Sequence, residues 1–297
     1  MSIIEKAAGR ISSDRKGAAP RTESAPPISM ASIASTAVAS SEVRASALHE
    51  ASERPARASR RQEIDLVRLR QAGMVTPNAE RTAVAEEFRF IKRPLISTAF
   101  QNGAPVNHGN LIMVTSALPG EGKTFCAINL AMSIAMEMDH TVLLVDADVA
   151  RPSVLSSLGL EAKAGLMDLL QDKSLDMADL MIKTNVETLS VLPAGSSHKN
   201  ATELLASQSM QALLSQIANR YPDRIVIFDS PPLLLTSEAR VLAAQMGQIV
   251  VVVEAQTTTQ NALKDALRKI ETCANVNLVY NKGRAFADRQ DYSYYHG

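Results

Sequence analysis

The residues from Leu111 to Met138 constrain the fold more than any other stretch. Leu111-Ile112-Met113-Val114-Thr115 is a short apolar run of strand type, and Phe125 to Met138 is almost wholly apolar and long enough for a buried helix. Between them lies Ala117-Leu118-Pro119-Gly120-Glu121-Gly122-Lys123-Thr124. Strand, glycine-rich loop and helix in that order turn a G-K-T match into a mechanism. Glycines let backbone N–H groups curl around an anion, and the helix N-terminus adds about half a positive charge. Lys123 is placed to reach the outer phosphates of a nucleotide, and the Thr124 hydroxyl to take a Mg²⁺ position. The first glycine of the strict pattern is replaced by Ala117. The expected ligand is a nucleoside triphosphate with Mg²⁺, held by Pro119, Gly120, Glu121, Gly122, Lys123, Thr124 and the adjoining Phe125.

Two acidic segments fit the same machinery. Thr141-Val142-Leu143-Leu144-Val145 ends at Asp146-Ala147-Asp148, followed by Arg151-Pro152, and Arg224-Ile225-Val226-Ile227-Phe228 ends at Asp229-Ser230-Pro231-Pro232. Both are apolar strands delivering carboxylates at their C-terminal ends, where open parallel sheets bind ligands. A Mg²⁺ held partly through water needs nearby carboxylates, and phosphoryl transfer needs an acceptor for a hydroxyl proton. Asp146, Asp148 and Asp229 can supply both. Asp146 is the candidate base with a share in the metal; Asp148 and Asp229 chiefly hold the metal and its waters.

These three segments resemble the Walker A, A′ and B motifs of the bacterial tyrosine kinases, and from about Ile64 onward the chain looks closest to the exosortase-associated tyrosine autokinases. Ala85-Glu86-Glu87-Phe88-Arg89, Lys92-Arg93-Pro94-Leu95 and Leu233-Leu234-Leu235-Thr236-Ser237-Glu238-Ala239-Arg240 support the resemblance. Ala150 stands where many relatives carry a second basic residue, so the interface role of that segment rests on Arg151. The resemblance implies an ATP-dependent autokinase of exopolysaccharide or capsule synthesis and export, with Lys123, Asp146, Asp148 and Asp229 as its catalytic residues. It also implies a ring-like homo-oligomer that dissociates on phosphorylation, a membrane-anchored copolymerase activator, and a protein-tyrosine phosphatase. Localisation would be cytoplasmic, with recruitment to the inner membrane through the partner.

Of the five tyrosines, Tyr292, Tyr294 and Tyr295 fall within the last six residues. A tyrosine-rich and otherwise polar end adds little to a core. In the family such a cluster is the autophosphorylation site, which makes these three the expected acceptors. Glu86, Arg89 and Lys92 lie three residues apart, on one helical face. They resemble the family's E-x-x-R-x-x-R oligomerisation motif, with Lys in the last place.

Composition sets the limits around this reading. Lys plus Arg equals Asp plus Glu at 31 each, so no global charge draws the chain to nucleic acid. No stretch reaches the roughly 18 consecutive apolar residues of a membrane span. Cys126 and Cys273 lack metal or disulfide spacing. Residues 1–62 are rich in Ala, Ser, Arg and Pro and are expected to be a disordered leader. Residues 63–108 read as a helical linker and oligomerisation region, 109–285 as the kinase domain and 286–297 as the tail. Strands alternating with helices from Gly109 onward predict an α/β P-loop NTPase fold, a mainly parallel sheet with helices on both faces. Expected strands are Leu111 to Thr115, Val142 to Asp146, Leu189 to Leu192, Ile225 to Asp229, Ile249 to Val253 and Val276 to Tyr280.

Asn281 matches the position where related loop-type ATPases read the adenine edge. Asn129 is a polar residue in an apolar helix, expected to be structural. The main rival is a partition or division-site ATPase switch without kinase activity. Its signature is a second lysine four residues before the last loop glycine, where this chain has Leu118.

Overall fold

Long apolar runs bounded by turns become strands buried on both faces. In the computed structural model, residues 61–77, 82–100, 108–221 and 223–283 are described. The strands are β1 (Leu111–Ser116), β2 (Thr141–Asp146), β3 (Ile182–Lys183), β4 (Leu189–Leu192), β5 (Arg224–Asp229), β6 (Gln248–Glu254) and β7 (Val276–Asn281). The first helices are α1 (Leu66–Gln71), α2 (Ala83–Ala99), α3 (Lys123–Ala135), α4 (Val154–Leu158) and α5 (Leu166–Gln171). After them come α6 (Met177–Leu180), α7 (Ala201–Leu205), α8 (Gln208–Arg220), α9 (Ser237–Ala243) and α10 (Gln260–Arg268).

The sheet order is β3-β4-β2-β5-β1-β6-β7, and every pairing is parallel except β3 with β4. Alternate residues of each inner strand feed two cores. Leu111 and Met113 of β1 join the cluster under α5 to α10, while Ile112 and Val114 join the cluster under α1 to α4. Both faces of β1 are therefore dry, which explains its unbroken apolar character. The α/β class, the parallel sheet and its two helical layers are as the sequence predicts.

The N-terminal part wraps one face of this sheet. Arg61 and Gln62, assigned above to the leader, already belong to the folded part: Gln62 N–H donates to Lys183 O at 2.9 Å, and Arg61 bridges to Lys183. The rest of the leader and the tail with Tyr292, Tyr294 and Tyr295 lie outside the described residues. Asn129, fully buried in α3, accepts from Val75 N–H at 2.6 Å and donates to Phe125 O at 2.8 Å. A buried amide with both ends satisfied is structural, as expected.

Helix α2 corrects one expectation. Glu86 and Arg89 are partly exposed and pair with each other at 2.6 Å. Lys92 does not share their surface. Its ammonium is buried between α2 and α3, 2.6 Å from Glu137 Oε1 and 2.6 Å from Ser133 O. The three-residue steps advance 300° rather than 360°, so by the third position the helix has turned toward its neighbour. Lys92 is an internal tie, and the charged residue left outside on this turn is Arg93.

Candidate active site

Parallel strands converge at their C-terminal ends, and the chain leaves β1, β2 and β5 there with the three motif segments. Asp146 and Asp229 are register partners on adjacent β2 and β5, so the pairing itself sets the two carboxylates side by side. The loop from Ala117 to Gly122 runs from β1 into α3. Its glycines carry what other residues rarely adopt: Gly120 and Gly122 have φ of 84° and 96°. Gly122 is the N-cap of α3 and supplies no side-chain cap, which leaves the first-turn N–H groups for an anion.

Six side chains gather below this loop. Lys123 Nζ lies 3.1 Å from Asp148 Oδ2. The Thr124 hydroxyl donates to Asp229 Oδ2 at 2.7 Å and lies 2.9 Å from Ser153 Oγ. Asp146 Oδ2 accepts from the N–H groups of Ser153 and Val154, each at 3.0 Å. These are the first residues around α4, so α4 anchors Asp146 from its N-terminal end. The other oxygens, Asp146 Oδ1 and Asp229 Oδ1, are buried and have no hydrogen-bond partner among the described residues. Burial pushes the Asp229 carboxyl up to about 7, with the Thr124 hydroxyl opposing and Asp146 adding to the rise. Burial likewise raises Asp146 to about 6, opposed by the two N–H groups and reinforced by Asp148.

Two unsatisfied carboxylate oxygens beside a threonine hydroxyl fit a hard cation. Among the described residues no three His, Cys, Asp or Glu side chains form a ligand group by themselves. A Mg²⁺ here would therefore be completed by the Thr124 hydroxyl, phosphate oxygens and water, its usual arrangement with nucleotides. Next to Asp146 opens a cleft of about 770 Å³, walled by Pro152, Leu155, Leu160, Ala162, Pro193 and Ala194. Arg151 is exposed beside it.

Several assigned residues play other parts. Glu121 is buried and its carboxylate faces the protein, accepting from Leu118 N–H at 2.8 Å and from the Thr258 hydroxyl. Its side chain closes the loop, leaving only its backbone for a ligand. The Phe125 ring packs against the core under α2 and α3, so it too offers only backbone. Asn281 lies at the end of β7, with Nδ2 donating to Glu121 O at 2.9 Å, and is pressed so close that a Cβ at 122 would meet it at 2.0 Å. Here it braces the loop. Ser153, Thr258 and Lys282 escaped the sequence reading. Ser153 carried a signal, a hydroxyl residue just ahead of an apolar turn, whereas Thr258 and Lys282 reach the loop only through the sheet.

A glycine loop entering a helix, a lysine paired with a buried carboxylate and strand-end aspartates define a P-loop nucleotide-binding enzyme. Residues 109–281, more than half of the chain, match the family described as AAA domain. Tyrosine-protein kinase YwqD of Bacillus subtilis (strain 168) is 35% identical over 186 residues, covering 62% of this chain and 76% of that protein. Tyrosine-protein kinase Wzc of Salmonella typhimurium is 27% identical over 192 residues, covering 63% of this chain and 26% of that protein. The chain thus spans about three quarters of one relative and about a quarter of the other. The solved BceF tyrosine kinase domain is 25% identical with a TM-score of 0.59, covering 72% of this chain and 86% of that one. The chain belongs to the AAA domain family and, within it, to the bacterial tyrosine-protein kinases.

Proposed function

We propose that this kinase uses ATP and Mg²⁺ to phosphorylate Tyr292, Tyr294 and Tyr295 of a neighbouring copy. The observation that carries the reading is Asp146: one oxygen is held by two N–H groups, the other is free, and the cleft opens beside it. The loop N–H groups and the N-terminus of α3 would cradle the phosphates. Lys123 would leave Asp148 to follow the charge on the transferring group. Mg²⁺, held by the Thr124 hydroxyl and the carboxylates of Asp146, Asp148 and Asp229 through water, would supply charge neutralisation on the phosphates.

An acceptor tyrosine enters the cleft with its ring against the apolar wall and its hydroxyl toward Asp146. The phenolic oxygen bonds to the γ-phosphorus as the bond to the β–γ bridging oxygen breaks. ADP leaves, and the phenolic proton passes to Asp146 Oδ1. A carboxyl held at about 6 is mostly ionised at neutral pH and more basic than a solvent-exposed one, as a general base requires.

In this reading the assembly is a ring-like oligomer built through Glu86, Arg89 and Arg151, and three phosphates at about −1.5 to −2 charges each drive it apart. A phosphatase resets it. Among the described residues no helix is long and apolar enough to cross a membrane. A membrane-anchored copolymerase would recruit the cytoplasmic kinase to the inner membrane and tie it to polysaccharide synthesis and export, of the exosortase-associated kind. Leu118, in place of the second loop lysine, weighs against the partition ATPase alternative. Phosphotyrosine mass spectrometry after incubation with ATP and Mg²⁺ tests the proposal: phosphate on the three tail tyrosines is the expected result, and ATP hydrolysis without phosphotyrosine would favour the switch instead.

A further inference from the structure

We propose that Lys282 is a positioning residue that holds the phosphate loop in its anion-binding shape. This rests on the reading of the site as an ATP site. Lys282 follows β7 directly. Its ammonium donates to Gly120 O at 2.7 Å and pairs with Glu254 Oε2 at 3.1 Å. Its neighbour Asn281 donates to Glu121 O at 2.9 Å. Two consecutive loop carbonyls are thus drawn toward the end of β7.

The consequence follows from peptide geometry. In a planar trans peptide the N–H points opposite to the C=O, and the described residues contain no cis bond. Fixing Gly120 O therefore fixes Glu121 N–H, and fixing Glu121 O fixes Gly122 N–H, both directed away from β7. Neither N–H is bonded to another group among the described residues. Successive N–H groups turned to one side form a concave anion site, and the flanking glycines with φ of 84° and 96° allow it. Lys282 builds the site from behind, without touching the ligand.

Two further observations support a held arrangement. Lys282 has φ of 57°, a left-handed conformation uncommon for lysine that persists where surrounding contacts over-determine it. Glu254, its partner, is also bound into the loop: Glu254 N–H donates to Thr258 Oγ1 at 3.1 Å, and that hydroxyl donates to Glu121 Oε1. Lys282, Glu254, Thr258 and Glu121 close a ring of contacts that begins and ends on the loop.

The test is titration of the full chain with a fluorescent ATP analogue and Mg²⁺, beside steady-state kinetics and melting without nucleotide. Lys282→Ala should weaken nucleotide binding about tenfold, the scale of one charge-assisted hydrogen bond. KM for ATP should rise while kcat at saturating ATP stays within about twofold, and Lys282→Arg should restore most of the affinity. Glu254→Gln separates positioning from simple attraction. If Lys282 acted only as a charge near the phosphates, removing the neighbouring carboxylate would tighten binding, whereas loss of positioning weakens it. Should Lys282→Ala melt below the assay temperature, Glu254→Gln and Lys282→Gln carry the same comparison. Unchanged affinity in Lys282→Ala and Lys282→Gln, or tighter binding in Glu254→Gln, overturns the proposal. A wild-type chain that fails to bind the analogue overturns the ATP reading and this inference with it.

Discussion

Replacing Lys92 with alanine separates an internal tie from an assembly contact. Its side chain is only 4% exposed, and its ammonium meets Glu137 Oε1 and Ser133 O, each at 2.6 Å. Truncation leaves a carboxylate and a helix carbonyl without their partner and empties the space of the aliphatic stem. Removing one member of a buried ion pair costs about 3–5 kcal/mol. Glu137 is 23% exposed and has Arg93 Nη2 at 3.5 Å, so water and a second cation soften the loss. The expected destabilisation is about 2–3 kcal/mol at pH 7. The pH dependence has a definite sign. The hydrogen bond from Lys92 is the largest influence holding the Glu137 carboxyl below its ordinary value of 4.5. The pairing therefore contributes fully above that ordinary value and is lost as pH falls through the lower folded value. Urea denaturation should show a wide gap between wild type and Lys92→Ala at pH 7 that narrows in acid. A variant as stable as wild type that sediments as a smaller species would refute this account and return Lys92 to the interface.

Three other outcomes are expected. Glu86→Ala with Arg89→Ala, on the exposed turn of α2, should leave the monomer's stability within about 0.5 kcal/mol yet yield a smaller species in sedimentation of unphosphorylated protein; an unchanged mass would remove this face from the assembly. Asp146→Asn should lower turnover by about 10²- to 10⁴-fold at saturating ATP and Mg²⁺; loss of metal affinity alone, with turnover kept, would end its role as base. Without nucleotide or metal, the raised carboxyls of Asp146 and Asp229 contribute stability below their ordinary values that is lost as pH rises through about 6 and 7. Melting temperature should thus fall from pH 5.5 to 8, and Asp229→Asn should flatten part of that fall; parallel slopes would contradict the burial of Asp229.

What the sequence shows, and what it hides, follows from how far a side chain reaches along the chain. The loop, α3 and the strand-end aspartates are local patterns: apolar runs fix β1, β2 and β5, and the parallel register then places Asp146 beside Asp229. The sheet order adds what no local pattern contains. Thr258 and Lys282 lie more than 130 positions from the loop and reach it because β6 pairs with β1 and β7 lies next beyond β6. The helix α4 is only five residues long, too short for periodicity to reveal, yet its first N–H groups hold Asp146. Glu121 and Phe125 sit inside a phosphate-binding pattern, where spacing cannot tell a backbone contact from a side-chain one. Lys92 misled because an exposed and a buried lysine look alike in sequence. Its burial follows from Glu137, 45 positions away. Lys123 likewise has a partner that its motif conceals: Asp148 holds it, so Lys123→Met also leaves a buried carboxylate unpaired.

Transfer between subunits onto the tail is the central claim, and a chain-mixing experiment tests it most directly. One chain carries Lys123→Met, which is expected to abolish its transfer activity, and keeps its tail. The other is active and has Tyr292, Tyr294 and Tyr295 replaced by Phe. After mixing with ATP and Mg²⁺, phosphotyrosine should appear on the inactive chain and map to its last six residues. No phosphotyrosine on that chain would contradict transfer between subunits, and label confined to Tyr221 or Tyr280 would place the acceptor outside the tail.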